Sequence, residues 1–232
     1  MPVRSRSAEG HFDEEAGVWL HIPPEPYATP RPALFLDRDG VIIEDPGYLC
    51  RAADMIIIPG AVALIAEANR RGIPVVEITN QAGIARGYYG FEEFLEVETA
   101  LAERLAAAGA GIDAVFACPY HRDGVAGWAH PAHPARKPRP GMLQMAARLM
   151  NLDLRSSWVV GDKHADLLAG EAAGLRGGLH VLTGKGAAER GSVNGWHPER
   201  FEIRTGESIR DASALVDLLE ASGRTAPPSG KP

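Results

Sequence analysis

Short apolar runs alternate along the chain with longer segments whose apolar residues recur at helical spacing. Short apolar runs bounded by turn residues are typical of buried strands in a parallel sheet. We predict strands at residues 33–37, 73–79, 114–118, 157–161 and 179–183, and a further short strand near 201–204. We predict helices at residues 61–71, 91–108 and 142–150, a helix that ends near residue 173, and a last helix at 211–221. The alternation predicts an α/β fold, a three-layer, doubly wound, Rossmann-like parallel sheet with helices on both faces.

The same pattern divides the chain into three parts. Residues 1–32 form an N-terminal arm, polar and mobile up to residue 16, with an apolar run at 18–22 suited to an edge strand. The prolines that follow keep the arm extended, because proline fixes φ and cannot continue a helix. Residues 33–222 form one domain, and residues 223–232 are expected to be disordered.

Composition and charge exclude several classes of partner. The 232 residues carry a formal net charge of −6 without a broad basic field, so we expect no nucleic acid. No apolar stretch is as long as a membrane span or resembles a signal-peptide core, so we expect no membrane and a cytoplasmic protein. The 2 cysteines, Cys50 and Cys118, form no disulfide framework. The remaining expectation is a monomer or small homo-oligomer that binds a small molecule.

Polar side chains follow four of the predicted strands. They are Asp37 and Asp39 after the first, Thr79 and Asn80 after the second, Arg136 and Lys137 in the loop after the third, and Asp162, Lys163 and Asp166 after the fourth. The carboxyl ends of parallel strands meet at one edge of the sheet, where ligands bind. The Asp37-x-Asp39 pattern alone is equally well explained as an Asp-rich turn. All four strand ends together predict a crevice that holds carboxylates, a hydroxyl and cations.

These residue types favour phosphoryl transfer. Carboxylate oxygens suit Mg²⁺, and the side chains of Asp37 and Asp162 with the backbone carbonyl of Asp39 offer such ligands. A metal ion and a lysine together neutralise charge on a transferring phosphoryl group. A carboxylate in line with phosphorus can form an aspartyl-phosphate, and a neighbouring carboxyl can protonate the leaving oxygen and then activate water.

Four segments resemble the haloacid dehalogenase (HAD) superfamily. They are FLDRDGVI at 35–42, TNQAGIARG at 79–87, RKPRPGM at 136–142 and VGDK at 160–163. Within the superfamily they look most like the D,D-heptose 1,7-bisphosphate phosphatases, and the histidinol-phosphate phosphatases share the pattern. Four linked motifs in the right order are far more specific than any one of them. The resemblance implies a HAD-type phosphoric monoester hydrolase without a large cap domain.

The resemblance also implies roles for individual residues. Asp37 matches the nucleophile, Asp39 the general acid/base, Asp162 the third magnesium position, and Lys137 the lysine that balances charge on nucleophile and phosphate. Asp166 is expected to lie behind these groups and to orient Lys163 or a metal-bound water. The residues expected to contact substrate or its phosphate are Asp45, Gly47, Tyr48, Thr79, Asn80, Gln81, Arg136 and Lys163.

One departure concerns a zinc loop that is common in this family. Cys118 stands at its first ligand position, but Tyr120, His133 and Ala135 stand at the other three. An alternative zinc set would consist of Cys118, His121, His130 and His133. We favour a loop that has lost its metal, because a structural zinc site needs four ligands with good geometry.

The leading hypothesis is therefore a Mg²⁺-dependent phosphomonoesterase that acts through an aspartyl-phosphate. Its expected substrate is a sugar phosphate such as D-glycero-D-manno-heptose 1,7-bisphosphate. Histidinol-phosphate phosphatase is the alternative within the same class. A catalytically silent HAD-like binding module is the alternative of another class, against which the intact Asp37, Asp39, Lys137 and Asp162 count.

Overall fold

The computed structural model describes residues 10–225, so the parts of the predicted arm and tail at 1–9 and 226–232 lie outside the described residues. The strands are β1 His11–Asp13, β2 Val18–His21, β3 Leu34–Leu36, β4 Val75–Asn80, β5 Ala114–Cys118, β6 Trp158–Gly161, β7 Gly177–Val181 and β8 Glu202–Gly206. The helices are α1 Ala61–Arg70, α2 Ala82–Ala85, α3 Phe91–Ala107, α4 Gly141–Met150, α5 His164–Ala173, α6 Gly186–Asn194 and α7 Ser213–Thr225. Short 3₁₀ turns occur at Ala52–Asp54, Leu154–Ser156 and Ile209–Ala212.

The strands form one sheet of eight strands in the order β1-β2-β5-β4-β3-β6-β7-β8. Strands β3 to β8 pair in parallel, whereas β2 is antiparallel to both β5 and β1. The chain proceeds outward from β3 in both directions, through β4 and β5 on one side and through β6 to β8 on the other. The carboxyl end of β3 therefore lies at the reversal of strand order, where open α/β sheets bind their ligands.

Alternate residues of β3 enter two hydrophobic cores. Leu34 and Leu36 pack into the core that contains α1, α3 and α7, whereas Phe35 packs into the core formed with α4 and α5. Successive strand residues point to opposite faces, so a strand covered on both sides is apolar throughout. The predicted three-layer architecture with helices on both faces is confirmed.

The N-terminal segment differs from the prediction. Residues 11–21 form a β-hairpin, so β2 is an interior strand and β1 is the edge. Phe12 contacts Phe91 and Trp128, and Trp19 packs against Phe94, each with ring centroids 5.3–5.6 Å apart. These aromatic contacts join the described part of the arm to the domain. The sequence did not predict the strand around Phe12, because the residues beside this phenylalanine are mostly polar.

Other differences concern helices. Helix α7 extends to Thr225, beyond the predicted boundary at residue 222, and is preceded by a 3₁₀ turn where its start was expected. Helices α2 and α6 were not predicted, because one has only four residues and the other is rich in glycine and polar residues. No helix within residues 10–225 has both the length and the apolar character needed to cross a membrane.

Candidate active site

Three buried aspartates meet at the carboxyl edge of the sheet. Asp37 follows β3, Asp162 follows β6, and Asp166 lies in the first turn of α5. One carboxylate oxygen from each lies within 4.8 Å of the others, and no other group of three His, Cys, Asp or Glu side chains within residues 10–225 meets that condition. Three negative charges this close repel one another strongly in a buried site, so cations must offset them.

Lys137 supplies one such cation. Its Nζ lies 2.8 Å from Asp37 Oδ1 and 2.6 Å from Asp166 Oδ1, and it donates to the carbonyl of Ile78 at 2.8 Å. An ammonium has three donors, so these contacts use all of them. Burial alone would lower the pKa of Lys137, but the carboxylates of Asp166 and Asp37 raise it above its ordinary value. Lys137 therefore remains charged and locks Asp37 and Asp166 in place.

Asn80 holds the backbone of Lys137. Its Nδ2 donates to the Lys137 carbonyl and its Oδ1 accepts from the Lys137 N–H, both at 3.1 Å. This reciprocal pair fixes a residue from the long loop 119–140 against the end of β4. The side-chain amide of Asn80 thus positions the lysine, and its predicted contact with substrate or its phosphate stays a prediction.

Asp162 has one satisfied and one unsatisfied oxygen. Oδ2 accepts from the backbone N–H of Lys185 at 2.7 Å, whereas Oδ1 is buried without a hydrogen-bond partner among the described residues. Burial, together with the charges of Asp37 and Asp166, raises the pKa of Asp162 to about 7. A divalent cation with oxygen ligands fits this arrangement, since it would satisfy the orphaned oxygen and offset the repulsion.

Two glycines allow the loops to close around Asp162. A Cβ atom on either Gly40 or Gly184 would lie 2.4 Å from Asp162 Oδ2, and both residues have positive φ, 93° and 57°. Only glycine tolerates both the close approach and the left-handed backbone. The turn containing Gly184 and Lys185 therefore forms one wall of the site.

The carboxylate of Asp39 is not part of the three-aspartate group and has other hydrogen-bond partners. Arg38 Nη2 donates to both of its oxygens, at 3.1 and 3.0 Å, and Gln81 Nε2 donates to Oδ2 at 3.0 Å. The contribution predicted for Asp39 at the metal position was its backbone carbonyl, so the side chain remains available for proton transfer. Its carboxylate is 19% exposed, in contrast to the buried Asp37 and Asp162.

Gln81 and Thr79 are occupied by this arrangement. Gln81 Nε2 also donates to Thr79 Oγ1 at 2.7 Å, and the hydroxyl of Tyr89 donates to Gln81 Oε1 at 2.5 Å. Both Gln81 and Thr79 are fully buried. Gln81 therefore contacts both Asp39 and Thr79, and its contact with substrate or its phosphate stays a prediction.

The remaining predicted contacts lie on two rims of the crevice. On one rim, Asp45 Oδ2 lies 3.5 Å from Lys163 Nζ and 3.9 Å from Lys185 Nζ, and Asp45 Oδ1 accepts from the N–H of the exposed Gly47. Lys163 Nζ also lies 3.7 Å from Asp162 Oδ1. This rim combines lysines that can bind an anion with a carboxylate that can accept from sugar hydroxyls.

The other rim is rich in arginine. Arg86 donates to the hydroxyl of the exposed Tyr48 at 2.8 Å and lies 3.3 Å from His121 Nε2. Arg136 donates to the carbonyl of Tyr120 at 2.9 Å. A small pocket of about 130 Å³ opens beside Arg136, Lys137 and His121. Guanidinium groups bind phosphate oxygens in pairs, so this rim suits a phosphorylated ligand.

Comparison with known proteins identifies the family. A HAD-hydrolase-like family model matches residues 134–201. The D-glycero-beta-D-manno-heptose-1,7-bisphosphate 7-phosphatase of Mesorhizobium japonicum is 45% identical over 220 residues, which cover 94% of this chain and 95% of the relative. The chain belongs to this family of HAD-like phosphatases. The predicted assignment to the HAD-type phosphoric monoester hydrolases is confirmed.

Solved structures agree with this assignment. A Mesorhizobium loti protein assigned to the HAD-like phosphatases has a TM-score of 0.80 and 41% identity, with 92% of this chain and 98% of that chain covered. D,D-heptose 1,7-bisphosphate phosphatase from B. bronchiseptica, complexed with magnesium and phosphate, has a TM-score of 0.68 and 31% identity, with 82% and 99% covered. Both alignments span nearly the whole of the solved chains, so this HAD-like phosphatase shares their complete fold.

The alternative zinc residues do not converge in this HAD-like phosphatase. Cys118 Sγ lies 3.8 Å from His133 Nδ1, but His121 faces Arg86, and His130 Nδ1 accepts from the N–H of Ala132. The ring of Tyr120 stacks on His133 with centroids 4.1 Å apart. Burial raises the pKa of the Cys118 thiol to about 11. The described geometry is therefore that of a packed cluster and not of four zinc ligands.

Several residues of the site were missed in the sequence. Lys185 and Tyr89 lie in turns without a distinctive pattern, and Arg86 lies in the 79–87 segment, where no separate role was assigned to it. Glu98 had a detectable signal, because it lies four residues after Phe94 and three before Leu101 on the apolar face of α3. A carboxylate on such a face needs a buried cation, and Glu98 contacts Arg38. A cavity of about 940 Å³ lies at the amino ends of β4 and β5, and none of Asp37, Asp162 and Asp166 lines it.

Proposed function

We propose that this protein is a Mg²⁺-dependent phosphatase that removes the 7-phosphate of D-glycero-β-D-manno-heptose 1,7-bisphosphate through an aspartyl-phosphate on Asp37. The observation that carries the mechanism is the buried contact of Lys137 with both Asp37 and Asp166 beside the unsatisfied Asp162 oxygen. The substrate is supported by the 45% identical relative, whose alignment covers nearly all of both chains.

In the first step, an Asp37 carboxylate oxygen attacks phosphorus and the bond between phosphorus and the sugar oxygen breaks. The carboxylate is suited to attack because Lys137 and the backbone N–H of Arg38 both contact Oδ1, at 2.8 Å, and fix its plane. A nucleophile held at a near-attack geometry avoids much of the entropic cost of the reaction.

Asp39 moves the proton in both steps. Protonated Asp39 donates to the departing sugar oxygen, and the resulting carboxylate then accepts a proton from the water that attacks phosphorus. The second attack breaks the bond between Asp37 and phosphorus and releases inorganic phosphate. The partly exposed position of the Asp39 carboxylate supports this role, because general acids and bases must reach the proton that they transfer.

Asp37 and Asp162, with the backbone carbonyl of Asp39, would hold Mg²⁺. When bound, the metal supplies positive charge to the phosphoryl oxygens. The relative crystallised with magnesium and phosphate supports this choice of ion. We assign Asp166 to positioning Lys137 and the start of α5. Its Oδ2 accepts a hydrogen bond from the backbone N–H of Lys163 at 3.0 Å.

A bisphosphate requires cationic groups for the phosphate that does not react. Lys163 and Lys185 on one rim, and Arg86 and Arg136 on the other, surround the crevice with such groups. Tyr48 and Asp45 add hydrogen-bonding groups for sugar hydroxyls. The two rims therefore support a sugar that carries phosphates at both ends, more than a small monophosphate.

A panel of phosphate esters tests the proposal. Purified protein with Mg²⁺ is assayed for phosphate release from the β and α anomers of heptose 1,7-bisphosphate, from heptose 7-phosphate and from histidinol phosphate. We expect the highest kcat/KM for the β-bisphosphate. A higher value for histidinol phosphate would replace the substrate, and no hydrolysis of any ester would favour a silent binding module.

The Asp37→Asn variant completes the test. It should fold normally and lose at least about a thousandfold in kcat, because an amide cannot form the acyl-phosphate. Turnover like that of the wild type in this variant would refute the mechanism.

A further inference from the structure

A buried arginine lies between the two aspartates of the first motif. Arg38 is 1% exposed, and its guanidinium connects two carboxylates. Nη1 donates to Glu98 Oε1 at 2.6 Å, and Nη2 donates to Asp39 Oδ1 and Oδ2 at 3.1 and 3.0 Å. Taking a guanidinium out of water is costly, and close, well-oriented carboxylate partners offset that cost. A charge buried between the two aspartates of the motif therefore calls for an explanation.

Glu98 anchors this arginine to the rigid part of the fold. It projects from the middle of α3, is 4% exposed, and lies on the face that packs against the sheet. The guanidinium carbon of Arg38 also lies 5.6 Å from the ring centroid of Phe94, one helical turn before Glu98. The guanidinium is therefore fixed in position by a long helix and not by mobile loops.

A further buried carboxyl group, that of Glu77, lies near the guanidinium of Arg38. Glu77 on β4 is fully buried nearby, and burial together with the charge of Glu98 raises its pKa well above the ordinary value. Among the described residues, the guanidinium of Arg38 makes its ion pairs with Glu98 and Asp39.

We propose that Glu98 and Arg38 are positioning residues. This buried Glu98–Arg38 pair fixes the plane of the Asp39 carboxylate so that it faces the leaving oxygen of the substrate. The terminal torsion of an aspartate is broad, so an unsupported carboxylate samples many orientations. Arg38 contacts both oxygens, and Gln81 contacts Oδ2 as well. Among the described residues, Oδ1 therefore keeps more accepting capacity and is the oxygen that we assign to proton transfer.

The proposal rests on the acid/base role given to Asp39 in the proposed function. It predicts a dependence on the leaving group that a purely structural role does not. Expulsion of a sugar alkoxide requires a proton from Asp39, whereas nitrophenolate leaves without one. Loss of the Glu98–Arg38 pair should therefore slow the first step for sugar phosphates and leave it almost unchanged for 4-nitrophenyl phosphate.

Single-turnover kinetics with enzyme in excess and Mg²⁺ present separate the two cases. The rate of leaving-group release is measured for heptose 1,7-bisphosphate and 4-nitrophenyl phosphate in wild type, Asp39→Asn, Arg38→Met and Glu98→Gln. Misplacement of a catalytic group by about 1 Å costs roughly a hundredfold. We expect Arg38→Met to lower the sugar-phosphate rate roughly a hundredfold and the nitrophenyl rate less than about threefold. Glu98→Gln should show the same pattern at roughly tenfold, because its amide oxygen still accepts from Arg38 without the charge.

Two further variants control for general destabilisation. Arg104→Met removes a different contact of the same helix, to the carbonyls of Met55 and Ala52, and should change the two rates equally or not at all. Arg38→Lys keeps the charge but not the forked geometry, so it should restore less than the full sugar-phosphate rate. If Arg38→Met does not fold, the Glu98→Gln result decides alone.

Equal losses of rate for both leaving groups, or no loss for either, would refute the positioning role of the Glu98–Arg38 pair. If wild type hydrolyses 4-nitrophenyl phosphate but not the heptose bisphosphate, the substrate proposal fails, and the comparison is made with the best alkyl phosphate of the panel. If wild type hydrolyses no ester at all, the proposed function is refuted, and the positioning role of the Glu98–Arg38 pair is refuted with it.

Discussion

Replacement of Lys137 by Met removes the cation that joins two buried aspartates. In metal-free buffer, Asp37 and Asp166 would then face each other and Asp162 without the charge of Lys137, and Lys163 would be the nearest remaining cation. Breaking a buried ion pair from one side costs about 3–5 kcal/mol, because the remaining charge stays desolvated. For a domain of this size we expect the melting temperature to fall by roughly 6–20 °C.

A double-mutant cycle isolates the interaction. Asp166→Asn alone leaves the contact of Lys137 with Asp37, so it should cost about 1–3 kcal/mol. The double variant carries one carboxylate fewer, and its loss should be smaller than the sum of the single losses by about 1–3 kcal/mol. Lys185→Met is the matched control, because its exposed ammonium lies 3.9 Å from Asp45, and its effect should stay within about 0.5 kcal/mol.

Urea unfolding at pH 7 with a chelator measures all four variants. The reasoning is refuted if Lys137→Met is as stable as wild type, or if the two single losses add without coupling. Either result would mean that Lys137 does not neutralise the aspartates in the folded protein.

Three further predictions concern the metal site, His133 in the 119–140 loop, and the hydrogen bonds of Asn80 to the Lys137 backbone. Mg²⁺ at a hundred times its Kd should stabilise wild type by about 2.7 kcal/mol in calorimetry, and Asp162→Asn should lose most of that gain. Burial, with the neighbouring His130, lowers the pKa of His133 to about 4, so the folded state disfavours its protonation. Stability should therefore fall by about 1–2 kcal/mol between pH 6.5 and pH 4, less than the full shift because solvent screens the ring, and a decline of equal size in His133→Phe would exclude this source. Asn80→Ala breaks both hydrogen bonds to the Lys137 backbone and should lower kcat more than KM, whereas an effect on KM alone would argue for direct substrate contact.

The sequence predicted the parallel core of the fold because its strands are short apolar runs with few alternative interpretations. The strand ends then followed from topology, since parallel strands bring Asp37, Asp162 and the loop of Lys137 to one edge. The hairpin of β1 and β2 could not be predicted in the same way. Its stability comes from aromatic contacts with α3 and the 119–140 loop, which are far away in the sequence.

Individual contacts in the site were harder to predict than its location. Contacts of Thr79, Asn80 and Gln81 with substrate or its phosphate stay predictions, and the hydrogen bonds of their side chains to protein groups were not foreseen. A motif gives residue types but not the neighbours that compete for their donors. Arg38 and Glu98 are separated by 60 residues, so only the folded arrangement reveals their pairing. The chemical roles of the site residues stay predictions.

The central claim is that phosphate passes through Asp37. It is tested most directly by mixing the enzyme with heptose 1,7-bisphosphate and Mg²⁺, quenching in acid within the first turnover, and locating the phosphoryl group by peptide mass spectrometry. We predict one phosphoryl group on the Asp37 carboxylate in wild type, and none in Asp37→Asn. A phosphoryl group on another residue, or turnover without any phosphorylated enzyme, would contradict the account.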